Sequence, residues 1–185
     1  SCHAHTKVTE PGAWQISSHR IVDQLERMSA LVRSAVADDS SQLVELLCAQ
    51  MAEHALSFSS GALAAAVAKT FECPSLGSFL VAEENVSGKI IGLAYVAFLH
   101  SMEHAAIIPL LEELYVVQIH RGRGLGGALL SAAQEQFSVA RGLPMELEVD
   151  ASHRDVESFY QKHGFTRRDR TRWLYLPPSR RESAP

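Results

Sequence analysis

The chain changes character near residue 30. Before it, SCHAHTKVTEPGAWQISSHR is polar, rich in histidine and broken at Pro11-Gly12. That pattern predicts a poorly ordered extension over residues 1–27, with Met28 opening the patterned part of the chain and able to serve as an alternative initiator. From Ala30, ALVRSAV alternates apolar and polar positions as a strand does. Asp38-Asp39-Ser40-Ser41 then offers helix N-cap chemistry ahead of QLVELLCAQMAEHAL, whose apolar residues recur at helical spacing. A second helix, ALAAAVAKTF, is predicted to start at Ser59-Ser60-Gly61 and to stop before Pro74. GSFLVAEE and KIIGLAYVAFL are strand-like runs joined by the hairpin signal Asn85-Val86-Ser87-Gly88.

A further strand is expected in LLEELYVV and a helix in LGGALLSAAQEQFSVARG, closed by Gly142 and Pro144. MELEVD alternates as a strand, HRDVESFYQKHG makes a short helix with Gly164 as its stop, and Thr171 to Leu176 suggests a last strand. A basic tail, residues 179–185, follows Pro177-Pro178. The expected order is β-α-α-β-β-β-α-β-α-β, in one domain over residues 28–178 with no internal repeat.

Composition changes this picture little. With 185 residues, 46% hydrophobic and 21% charged, the chain is long enough to bury a core without disulfides. A net charge of −4 argues against a nucleic-acid partner, and the basic stretches TRRDRTRW and SRRE are expected to be solvated faces. Three cysteines, an odd count with no CxxC pair, give no disulfide framework and no zinc site. His3 could complete an amino-terminal copper site, but a flexible tail explains it more simply. No apolar run approaches a membrane span, and no signal peptide is evident. A reducing cytoplasm is the simplest setting.

Chemistry concentrates in LEELYVVQIHRGRGLGGALL, Leu111 to Leu130. Gly122, Gly124 and Gly127 satisfy the dinucleotide fingerprint GxGxxG, with Glu146 or Glu148 about twenty residues on. Context opposes that reading: Gln118-Ile119-His120-Arg121 separates the strand from the first glycine, and the motif follows a hairpin rather than opening a βαβ unit. The other reading is Arg121-x-x-Gly124-x-Gly126. Its glycines bring backbone N–H groups close to phosphate oxygens. The helix starting near Leu125 aims its unpaired N–H groups at the same place, and Arg121 and Arg123 can add charge-assisted bonds. Together these make a pyrophosphate cradle.

This loop, followed by ESFYQKHGF, resembles the acetyl-CoA loop and following helix of the GNAT N-acetyltransferase superfamily, and the element order is similar from about Ala30 to Leu176. The resemblance implies a mostly antiparallel, splayed β-sheet flanked by helices, an α+β fold, and acetyl-CoA as co-substrate. It places the pantetheine arm along the backbone of Leu114, Tyr115 and Val116, and the pyrophosphate on Arg121, Gly122, Arg123, Gly124, Leu125, Gly126 and Gly127. Gln118 stands where many members carry proline. His153 stands where many carry asparagine, which puts one cofactor contact in doubt.

Acetyl transfer to an amine needs a base for the ammonium proton and an acid for the leaving thiolate. Glu112 and Glu113 are the candidate bases. Neighbours on a regular strand face opposite sides, so only one reaches the cleft unless a bulge intervenes. The LEELYV run is similar to the LED-type segment of diamine N-acetyltransferases, in which the first acid faces the substrate, and this favours Glu112. His100 and His104 are alternative bases, more often simple loop residues. Tyr160 matches the position of the family's general acid, Phe159 is expected to pack beside it, and His163 should be a surface residue near the helix end.

The function expected is acetyl-CoA-dependent N-acetylation of a primary amine on a small molecule: a polyamine, a diamine or an amino-acid-like compound. A non-catalytic acyl-CoA sensor and a peptide N-acetyltransferase are the alternatives. Relatives often form homodimers, but no stretch here specifies one.

Overall fold

The computed structural model describes residues 30–149, 156–171, 173–175 and 177. The extension before Ala30, with His3 and Met28, lies outside these residues, as do His153 and the basic tail. The chain divides into two compact units, one ending at Glu148 and a smaller one beginning at Val149. The boundary falls within the span expected as one domain.

The larger unit is built on a five-stranded sheet in the order β1-β2-β3-β4-β5. Its strands are β1 (Ala30–Ser34), β2 (Gly77–Glu84), β3 (Ile90–Ser101), β4 (Ala106–Val116) and β5 (Glu146–Leu147). The first four are antiparallel neighbours. Helices α1 (Ser40–Glu53) and α2 (Ser60–Glu72) connect β1 to β2, and α3 (Leu125–Ala133) connects β4 to β5. That last pairing is parallel, as expected where a crossover helix intervenes.

Each sheet face is covered by helices whose apolar stripes match the strand alternation. Leu43, Leu46 and Leu47 of α1 and Val67 of α2 share a core with Phe79, Val81, Ile90, Leu93 and Tyr115. On the other face, Leu129 of α3 comes so close to Gly92 that an added Cβ would lie 3.2 Å from its Cδ1. The π-helical turn Gln134–Ser138 extends α3, and Gly142, at φ 63°, ends the segment in the left-handed conformation.

Three local expectations change. The N-cap chemistry at Asp38 to Ser41 does not operate as a cap on α1: Asp39 makes no side-chain bond to the helix. Its carboxylate instead takes two bonds from Arg33, at 2.7 and 2.9 Å, and one from the Val36 N–H at 2.8 Å. A guanidinium fork outcompetes a single amide for a buried carboxylate. Ser59, by contrast, caps α2 as expected, accepting from the Ala62 N–H at 3.3 Å.

The strand expected over MELEVD is reduced to Glu146–Leu147, because β4 offers a ladder only at Leu110 and Leu111. The strand expected from Thr171 to Leu176 is not formed at its described residues, Thr171 and Trp173–Tyr175. Their apolar run resembled a buried strand, yet Trp173, Leu174 and Tyr175 are 89%, 79% and 74% exposed. Such a run becomes a strand only where a ladder partner exists.

The smaller unit contributes α4 (Glu157–Lys162). It ends as the sequence predicts: Gly164 has φ 85°. The Gly164 N–H donates to the Gln161 carbonyl and the Phe165 N–H to the Tyr160 carbonyl, a Schellman closure.

Candidate active site

The adjacent acids Glu112 and Glu113 sit at a break in the β3–β4 ladder. Tyr95 pairs with Glu113 and Val96 with Leu111, so Glu112 has no partner of its own. Such a bulge removes the rule that neighbouring side chains alternate. Glu112 is exposed and Glu113 half-buried. Opposite Tyr95, Glu113 lies on the sheet face covered by α1, where Gln50 Nε2 donates to its carboxylate at 2.5 Å. Burial pushes the Glu113 carboxyl above its ordinary value; the Gln50 bond works against this, and the Glu112 charge adds to it.

β5 accompanies β4 only as far as Leu111. From Glu112 to Val116, no strand among the described residues pairs with β4 on that side, so the backbone there presents an open edge. Leu114, Tyr115 and Val116, expected to meet the pantetheine arm, lie on this edge. The strand then runs through a 3-10 turn, Gln118–His120, into the glycine loop. That antiparallel context and intervening turn remove the dinucleotide reading of GxGxxG.

Gly122 and Gly124 both adopt left-handed backbone, at φ 77° and 82°, and an added Cβ at either would meet nothing within 4 Å. Their conformation is costly for other residues, and the space beside them is open. Gly124 is also the N-cap of α3 and supplies no capping side chain. The first amide bonded back to the cap is that of Ala128, to the Gly124 carbonyl at 3.0 Å. The N–H groups of Leu125, Gly126 and Gly127 therefore point out of the helix start. They form the kind of donor set an anion such as a pyrophosphate needs.

The Arg121 side chain has partners within the chain. Its Nε donates to the Val116 carbonyl at 2.7 Å, its Nη2 to Glu53 at 2.6 Å, and the guanidinium lies 5.3 Å from the centre of the Tyr115 ring. The Tyr115 hydroxyl also donates to Glu53, at 2.6 Å. A nearby carboxylate and carbonyl satisfy the fork locally, and the loop's backbone remains the candidate cradle. Arg123 is exposed.

The partners Gln50 and Glu53 were not singled out from the sequence. The signal was present: both follow Leu43, Leu46 and Leu47 at helical spacing, so polar side chains stand where an apolar stripe should continue. Of the alternative bases, His104 lies 3.1 Å from Glu146 of β5 and His100 is exposed on the hairpin arm.

Within the smaller unit, Tyr160 is half-buried between two rings. Phe159 meets it edge-on at 5.2 Å and Phe165 at 6.0 Å between centroids. Burial raises the phenol above its ordinary value. His163 is only partly exposed, with Nδ1 2.9 Å from the Phe159 carbonyl oxygen.

A family model of the GNAT acetyltransferase domain matches residues 75–167, half of the chain, from β2 through the loop to α4. The chain belongs to the GNAT acetyltransferase family. An uncharacterized N-acetyltransferase of Bacillus subtilis, YhfO, is 33% identical over 86 residues, 46% of this chain and 56% of that protein. The aminoalkylphosphonate N-acetyltransferase of Salmonella typhimurium is 29% identical over 79 residues, 43% of this chain and 51% of that protein. The chain thus spans about half the length of the curated relatives it matches. Among solved structures, the aminoglycoside N-acetyltransferase AAC(6')-Iy in complex with CoA superposes with a TM-score of 0.68 at 17% identity, covering 80% of this chain and 94% of that one.

Proposed function

We propose that the chain is an acetyl-CoA-dependent N-acetyltransferase acting on a primary amine of a small molecule. The observation that carries this reading is the glycine loop, where left-handed Gly122 and Gly124, one 3-10 turn after β4, open onto the uncapped start of α3. Backbone amides held in this way recognise a pyrophosphate, and the neighbouring edge of β4 offers peptide groups to an amide-bearing arm.

The acceptor side is acidic. Exposed Glu112 attracts the incoming ammonium group. Half-buried Glu113 has the raised proton affinity that suits a base, so the base role moves here from Glu112 to its neighbour. Glu113 takes one proton from the ammonium group, the freed amine nitrogen bonds to the acetyl carbon, the carbon–sulfur bond breaks, and the second proton shed by the nitrogen passes to water. Tyr160 donates a proton to the departing thiolate; burial holds its phenol protonated well above neutrality. A small-molecule acceptor is supported by the Salmonella relative and the aminoglycoside enzyme, whose names specify such amines.

Release of free thiol from acetyl-CoA, followed across a panel of diamines, polyamines, aminoalkylphosphonates, aminoglycosides and peptides, tests the proposal. Turnover with a small amine is expected. Turnover with peptides alone would reassign the acceptor. Binding of acetyl-CoA without product from any amine would make the chain an acyl-CoA sensor.

A further inference from the structure

Gln50 is a polar side chain in an apolar place. It is 5% exposed, on the face of α1 that packs against the sheet. Its Nε2 donates to Glu113, while its Oε1 is buried with no hydrogen-bond partner among the described residues. A buried amide oxygen left without a donor is costly, and such an atom calls for a reason.

The arrangement around it is rigid. Gln50 and Glu53 are three residues apart on α1 and so share one face of the helix. Glu113 and Tyr115 are two apart on β4 and share one face of the strand. Gln50 bonds to Glu113 and Glu53 to Tyr115, giving two parallel rungs between helix and strand. The second rung is fixed further by Arg121. The Gln50 amide is therefore held against the carboxyl group, free only to turn about its own last bond. A half-turn exchanges Nε2 and Oε1 with almost no change of shape.

We propose that Gln50 is a positioning residue for Glu113, bonding its carboxyl group in both protonation states. Nε2 donates to the carboxylate before the amine proton arrives. Once Glu113 carries that proton, the amide turns over and Oε1 accepts a hydrogen bond from the carboxyl O–H. A base that must gain a proton in a half-buried site keeps a partner throughout, so neither state is left unbonded. Among the described residues, the charged and titratable groups around Glu113 are Glu112 on its own strand, Tyr95 across on β3, and on the second rung Glu53 with Tyr115 and Arg121.

The inference rests on the acetyltransferase reading for its purpose, but its test does not need turnover. In the full chain carrying 13C-labelled glutamate and 15N-labelled glutamine, NMR follows the Glu113 carboxyl and the Gln50 amide across a pH titration, with Glu113→Gln and Gln50→Met providing the assignments. The Gln50 amide signals should move with the same midpoint as the Glu113 carboxyl and become insensitive to pH in Glu113→Gln. In Gln50→Met, which preserves bulk without a hydrogen bond, the Glu113 midpoint should rise by about one unit, because the charge-assisted bond to the carboxylate is the stronger of the two that are lost. The acidic limb of the kcat profile should rise by the same amount, with KM for acetyl-CoA unchanged. An amide indifferent to the Glu113 titration in the parent protein would overturn the proposal, whether or not the Met variant folds. So would a midpoint that stays in place in Gln50→Met. Absence of turnover with a shared midpoint would overturn the catalytic reading alone.

Discussion

Arg121 is bound to Glu53 at 2.6 Å, so the residue that leads into the glycine loop is tied to the last turn of α1. The Tyr115 hydroxyl shares the same carboxylate, and together they lower the Glu53 carboxyl below its ordinary value, the tyrosine bond having the larger effect. A depressed carboxyl group stabilises the fold above its unfolded value and loses that contribution as pH falls through the folded one. Both side chains of the ion pair are more than a third exposed, which keeps the effect small. Glu53→Gln should cost about 1 kcal/mol or less at neutral pH, and the difference from the parent should vanish at an acid pH below the lowered Glu53 value. Urea denaturation at the two pH values measures it.

Tyr160 is expected to matter for turnover and not for cofactor binding. Tyr160→Phe keeps the ring contacts with Phe159 and Phe165 and removes only the proton donor. Loss of a general acid typically slows the reaction by about 10²-fold or more. Steady-state kinetics should show that loss in kcat with KM for acetyl-CoA nearly unchanged, and an unchanged kcat would remove the acid role.

The glycines separate function from folding. At Gly122 an added methyl meets no neighbour, and the positive φ costs about 1–2 kcal/mol. Gly122→Ala should therefore fold, while its methyl stands in the space proposed for the pyrophosphate and weakens acetyl-CoA binding at least tenfold by calorimetry. At Gly77 the added Cβ would lie 2.6 Å from the Val96 carbonyl oxygen and 2.8 Å from the Tyr95 ring. Gly77→Ala should lower the melting temperature and leave the affinity of the folded fraction intact.

Asp39 carries the acid sensitivity of the β1 edge. The Arg33 bond depresses its carboxyl group most strongly, and the Val36 N–H assists. Its stabilisation is present above the ordinary aspartate value and is lost as pH falls through the lowered one. Asp39→Asn should destabilise the chain by about 2 kcal/mol at pH 7, with parent and variant converging in acid. Thermal unfolding across pH 2 to 7 follows the convergence.

Local chemistry made much of this legible in the sequence. Ser59 caps α2, Gly142 and Gly164 end their segments left-handed, and the glycine loop follows β4 as its spacing implied. What escaped depends on partners distant in sequence. The bulge at Glu112 exists because β3 fixes the register of β4, and no property of LEEL alone reveals a skipped residue. Asp39 looked like a cap until Arg33, held also by Glu83 of the neighbouring strand, offered its carboxylate more donors and charge than an amide provides. The run from Trp173 to Tyr175 has strand-like composition, but composition cannot supply a neighbouring ladder. The motif of Arg121 gave no sign of Glu53, 68 residues earlier, which its side chain bonds.

The parting of β4 from β5 after Leu111 has a consequence for solubility. An unpaired strand edge is a template that another chain can extend into an aggregate. As the proposed binding site for the pantetheine arm, this edge must stay open to a slender, amide-bearing ligand and closed to a second polypeptide. Glu112 meets both demands: its bulge spoils the flat register that a foreign strand would need, and its charge repels close stacking of identical copies. Replacing it with a β-branched apolar residue should increase aggregation, read by light scattering.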